Sequence, residues 1–182
     1  MSATLKIMST LCLMGAGWLA PVAHAAPPAH AEGAHVHGAV HLDVALDGPV
    51  LSVALEAPLD SLLGFERPPR NAAERQAADA LLARLRSAKA LVTADAAAQC
   101  ALQSATAESE ALKPGARAGE HADMDVVFEF RCAKPELVSR LDLSGLLDAF
   151  PRITHLEAQI VTPKGQFRQT LQRPARVLGW GR

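Results

Sequence analysis

The stretch from His121 to Cys132 constrains this chain more than any other. Ala122, Met124, Val126, Phe128, Phe130 and Cys132 alternate with His121, Asp123, Asp125, Glu129 and Arg131, and only Val127 breaks the pattern. Side chains of an extended strand point to opposite faces in turn, so a period of two predicts a strand with one buried and one wetted face. The pattern recurs earlier. Val40, Leu42, Val44 and Leu46 point one way, and Ala39, His41, Asp43 and Ala45 the other. Asp47-Gly48-Pro49 then turns the chain, and Leu51, Val53 and Leu55 carry the buried face onward, which predicts a β-hairpin.

Pro58 ends that hairpin, and the connection through Gly64, Pro68 and Pro69 reads as irregular, with Leu62, Leu63 and Phe65 available to the core. Asn71 followed by Glu74 is a capping box opening a helix whose Ala77, Leu81, Leu85 and Ala88 form the apolar stripe. Leu91 to about Ala107 is weakly patterned and reads as one or two strands, and Glu108 to Gly119 as a surface loop. A helical turn at Pro135 and a short helix from Ser144 to Phe150, stopped by Pro151, come next. Leu156, Ala158 and Ile160 mark a strand that turns at Pro163-Lys164-Gly165 into a last one through Phe167 and Leu171. With no repeated strand-helix-strand units, the expectation is an α+β fold: an antiparallel β-sheet of about six strands with N-terminal and C-terminal hairpins, one amphipathic helix packed on it and a short second helix.

The first residues call for a different reading. Lys6, the apolar run from Ile7 to Ala20 and the small-residue pattern Ala23-His24-Ala25 have the order of a cleavable signal peptide, which places the mature protein outside the cytoplasm. The run is short for a membrane span, and no second one follows, so no membrane insertion is expected. The expected organisation is residues 1–25 signal peptide, 26–34 flexible arm, 35–175 a single domain and 176–182 a C-terminal tail. The mature chain carries 17 basic and 19 acidic side chains with no basic run, which argues against nucleic acid as a partner. Its two cysteines, Cys100 and Cys132, form an even pair and in an oxidising compartment are expected as a disulfide. The rival, a two-thiolate metal site, lacks a second thiol near either cysteine.

Six histidines remain after processing, and His35, His37 and His41 crowd into one short string. If the strand extends back to residue 35, these three and Asp43 share a polar face. His121 and Asp123 occupy the polar face of their own strand, and laying the two strands side by side would add an imidazole and a carboxylate to the cluster. Imidazole with carboxylate suits Zn²⁺, whereas copper(I) prefers thioether and thiolate. The candidate ligands are therefore His35, His37, His41, His121 and Asp123, with His30 as a possible extra; His155, standing alone, reads as structural. The metal is expected to leave below about pH 6, because a ligating imidazole must be neutral. A solvated histidine face without metal is the plain alternative, on a non-enzymatic envelope module that recruits another protein. No catalytic motif is present, and Asp123 with Asp125 shares an exposed face unsuited to acid–base work.

The strings His35-Val36-His37-Gly38-Ala39, Leu46-Asp47-Gly48, Leu55-Glu56-Ala57-Pro58 and Leu63-Gly64-Phe65-Glu66 resemble the opening of the ZrgA family. Cys100, His121-x-Asp123, Phe130-x-Cys132, Pro135-x-Leu137, Phe150-Pro151 and the Gln166 region are similar to it in order and spacing. The resemblance covers residues 34–175 and implies a periplasmic zinc-binding protein of Gram-negative bacteria that serves a zinc import system. By position it implies ligand roles for His35, His37, His121 and Asp123. Many relatives carry a histidine-rich loop before the His-x-Asp strand, but residues 108–120 here contain no histidine. The expectation is accordingly about one zinc, or two with His30, rather than a multi-ion reservoir.

Overall fold

The hairpin predicted by alternation forms the middle of the molecule. The structure, a computed structural model, describes residues 37–88, 90–117 and 122–181. β1 (Ala39–Asp47) and β2 (Val50–Pro58) pair from Asp47↔Val50 to His41↔Glu56 around a tight turn. Val40, Leu42 and Val44 of β1 and Leu51, Val53 and Leu55 of β2 are buried, as the period-two pattern requires. Where an irregular connection was expected, Leu59–Leu63 form a short helix, α1, with Leu59 and Ser61 buried.

α2 (Ala72–Ser87) begins where the capping box places it. Asn71 accepts a hydrogen bond from the Glu74 backbone N–H at 2.9 Å. The Glu74 carboxylate reaches back one residue further than a capping box requires, accepting from the Arg70 backbone N–H at 2.7 Å. Arg67 grips the same carboxylate with two nitrogens at 2.7 and 3.0 Å. Leu81, Leu85 and Ala88 of the expected stripe are buried, and only its first position differs, with Ala78 buried and Ala77 exposed. Burying each of the two leucines contributes about 1.5–3 kcal/mol, more than burying one alanine methyl would. They therefore set the helix's rotation.

The hydrogen bond from Arg67, then that from the Arg70 backbone, holds the Glu74 carboxyl at a pKa of about 2, against an ordinary 4.5. A carboxyl depressed in the folded state contributes stability fully above its unfolded value and loses it as pH falls through the folded one. The expected result is that Glu74→Gln lowers the melting temperature at pH 6 but has little effect near pH 2. Calorimetry across this range checks it, and a difference that stays constant with pH sinks the assignment.

β3 (Thr93–Ala94), β4 (Cys100–Glu108), β5 (Asp123–Cys132), β6 (Arg140–Asp142), α3 (Ser144–Ala149), β7 (His155–Thr162), β8 (Gly165–Gln172) and β9 (Val177–Gly179) are the other strands and α-helix of the described residues. The described residues are mostly β: a six-stranded sheet ordered β4-β5-β2-β1-β7-β8, a three-stranded sheet ordered β3-β6-β9, and three helices. Two corrections follow. The main sheet is mixed rather than antiparallel, because β1 and β7 run parallel, from Ala39↔His155 to Ala45↔Val161. Residues 133–154, with β6 and α3 among them, form a crossover long enough to bring β7 back in the direction of β1. About six strands was also too few, since the small sheet is made of strands of two or three residues that carry no readable period. Ordered structure runs beyond residue 175 as well, with Leu178 and Trp180 buried.

Candidate metal centre

Residue 38 has a conformation and a position that only glycine satisfies. Gly38 has φ +80°, and a Cβ added there would lie 2.8 Å from Thr154 Oγ1 and 2.9 Å from the Arg152 carbonyl oxygen. Its N–H donates to the buried Ser61 hydroxyl at 3.0 Å. Its carbonyl accepts from the backbone N–H groups of Thr154 and His155 at 2.9 and 3.0 Å. Gly38 is thereby locked to α1 on one side and β7 on the other, and the residue before it is His37.

The His37 ring is 67% exposed and stands between two carboxylates, with Nδ1 3.5 Å from Asp60 Oδ2 and Nε2 3.7 Å from Glu66 Oε2. Asp60 is carried by α1, and Glu66 lies in the connection that follows. Neither was among the expected ligands. A period-two search looks along strands, whereas both of these approach His37 from a helix and a loop. Glu66 does close the Leu63-Gly64-Phe65-Glu66 string, which was a sequence pointer to this segment.

β5 begins at the same end of the sheet. Asp123 pairs with Pro58, and the Leu59 N–H donates to the Ala122 carbonyl at 2.8 Å, which stitches the first residues of β5 to the start of α1. Strands β1 and β5 are not neighbours as imagined from sequence; β2 separates them, about 10 Å from strand to strand across it. What brings the segments towards one another is the shared end of the sheet and the α1 bridge. His35 and His121 lie outside the described residues. Among the described residues, no three His, Cys, Asp or Glu side chains gather closely enough to hold a metal ion.

His41 is placed elsewhere. Its Nδ1 lies 3.8 Å from Glu157 Oε2 on β7, and it is paired with Glu56 on β2. It belongs to a transverse row on the outer face: Glu108, Asp125, Glu56, His41 and Glu157 are successive register partners on five adjacent strands. Burial, then the charges of Glu56, Glu108 and Glu110, push the Asp125 carboxyl above its ordinary range. The expected disulfide is present, joining Cys100 and Cys132 as register partners of β4 and β5. Both thiols are consumed by it, so the two-thiolate alternative falls away.

An exposed imidazole flanked by carboxylates offers nitrogen and oxygen donors, the donor class that suits zinc. A family model described as ZrgA family zinc uptake protein matches residues 34–180, and the chain belongs to that family. The family's description is of zinc uptake and not of a catalytic activity. No curated protein matches the chain.

Proposed function

We propose that the mature protein binds Zn²⁺ in the periplasm and hands it to a zinc import system. The binding site is built on His37, with His35, His121 and Asp123 as further ligands and Asp60 or Glu66 able to complete a tetrahedral set. The observation that carries this reading is the placement of the His37 ring, held by the locked Gly38 between Asp60 and Glu66 at the end of the sheet where β5 begins. High exposure of that ring suits a metal that must be passed on. The Cys100–Cys132 disulfide and the signal-like first 25 residues support an oxidising compartment outside the cytoplasm.

Isothermal titration of metal-stripped residues 26–182 with zinc tests the proposal. Heat of binding that is lost in a His35→Ala/His37→Ala double variant, and weakened by about tenfold or more in Asp60→Asn, is the expected result. Binding that survives the double variant overturns the site. A complete absence of binding heat, together with stability unchanged in excess chelator, leaves the non-enzymatic interaction module as the better account.

A further inference from the structure

The six-stranded sheet ends in two edge strands that differ. At β4 the register with β5 shifts between Leu102 and Ser104, the Arg86 guanidinium donates to the Ala107 carbonyl at 2.9 Å, and the disulfide pins Cys100. A bulge and a charged side chain laid on the backbone are devices that keep an edge from pairing with another chain. β8 has neither. Its register with β7 runs unbroken from Thr162↔Gly165 to His155↔Gln172, and it contains no proline. Thr162 and Gly165 flank a two-residue turn and exchange ladder hydrogen bonds, so by alternation Phe167, Gln169 and Leu171 bond to β7. Gln166, Arg168 and Thr170 therefore turn their backbone N–H and C=O groups to the open side, where no other backbone group of the described residues bonds them.

The surroundings of that edge suit an extended chain. β9 lies beside β8 without joining its ladder; the Gln169 side chain ties the two, its Oε1 accepting from the Gly179 N–H at 3.3 Å and its Nε2 donating to the Gly179 carbonyl. A cleft of about 870 Å³ is lined from both sheets. Half-buried Phe167, exposed Val177 and buried Trp180 are its apolar walls, and Arg140, held through Nε to Asp95 at 2.7 Å, is its polar one. On the opposite face of β8, Arg168 is exposed and has no ion pair among the described residues. Side chains of an added strand alternate between these two faces, so the edge selects an apolar residue on the cleft side and an acidic one beside Arg168.

We propose that the free edge of β8 accepts an extended segment of a partner polypeptide as a further strand, with an apolar side chain in the cleft and a carboxylate against Arg168. Main-chain hydrogen bonds to Gln166, Arg168 and Thr170 supply the attachment, and the two alternating side-chain contacts choose the segment. The attachment uses no metal ligand, so it stands or falls independently of zinc binding at His37.

Titration of the ¹⁵N-labelled, disulfide-intact mature protein with a short peptide alternating valine and glutamate, and with its valine–lysine counterpart, tests the proposal. The glutamate peptide is expected to bind with resonance shifts centred on β8. It should slow amide hydrogen exchange at Gln166, Arg168 and Thr170 by about tenfold or more and leave the β4 amides unchanged. Arg168→Glu should weaken that peptide about tenfold and favour the lysine one. Thr170→Pro removes an outward N–H and spares the β7 ladder, so it should weaken binding about as much with the circular dichroism spectrum retained. If Thr170→Pro unfolds, Val177→Glu, which makes the apolar cleft wall anionic, takes its place with the same expectation. Shifts without slowed exchange, equal slowing at β4, equal binding of the two peptides, or no shift at about 1 mM peptide each overturn the proposal. So does a dimer of the free protein whose β8 amides are already protected, since a second copy would then fill the edge.

Discussion

Gly38→Ala is expected to destabilise the protein by about 2–5 kcal/mol and to weaken zinc binding at His37 beyond what its lower stability explains. Two costs add. An L residue at φ +80° carries left-handed strain of about 1–2 kcal/mol. The new methyl also meets Thr154 Oγ1 at 2.8 Å and the Arg152 backbone oxygen at 2.9 Å, an overpacking that costs about 1–3 kcal/mol. Relief requires moving the chain at residue 38, which breaks the bonds to Ser61 and to the Thr154 and His155 amides and moves His37 with it. Gly48→Ala is the control, because Gly48 has φ +50° with nothing within 4 Å of the added carbon. Urea unfolding of both variants separates the terms: the control should show the strain alone. Equal losses at the two positions would remove the argument that packing fixes His37.

Breaking the Cys100–Cys132 bond, by reduction or in the Cys100→Ser/Cys132→Ser double variant, is expected to cost roughly 3–4 kcal/mol, the loop-closure value for a crosslink separated by 32 residues. The strand that depends on it is β4, an edge strand. Of its nine residues only Ala107 is buried, so side-chain burial alone holds it weakly to β5. Urea unfolding with and without reductant gives the magnitude, and hydrogen exchange should show the β4 amides losing protection before those of β1 and β2. A loss below about 1 kcal/mol would mean that the unfolded chain already keeps these segments together.

Much of this architecture was legible because half-buried strands announce themselves. The β1–β2 hairpin, β5 and the β7–β8 hairpin all appear where period two put them, and Asn71 starts α2 where a cap was read. The parallel pairing of β1 with β7 was not legible, since alternation is the same for either direction of a neighbour. Small residues hid only the first position of the α2 stripe, because Ala77 and Ala78 look alike to a periodicity count and packing chooses between them. The site was half legible. Strand-borne His41 and Asp123 could be assigned to faces, whereas Asp60 and Glu66 reach His37 through α1 and its following loop, and His155 joins His41 only through the β1–β7 pairing. Proximity of that kind is tertiary and leaves no trace in spacing.

The Gly38 carbonyl and the Thr154 hydroxyl that bonds it are 116 positions apart along the chain. β1 thus acquires one neighbour at once, from the hairpin, and its other only after most of the polypeptide has been made. Until then it waits with one hydrogen-bonding edge unsatisfied, and the entropy of closing so long a loop makes that wait slow. A chain cut short before residue 155 would therefore form the β1–β2 hairpin but leave the other edge of β1 bare, with His41 lacking its partner Glu157.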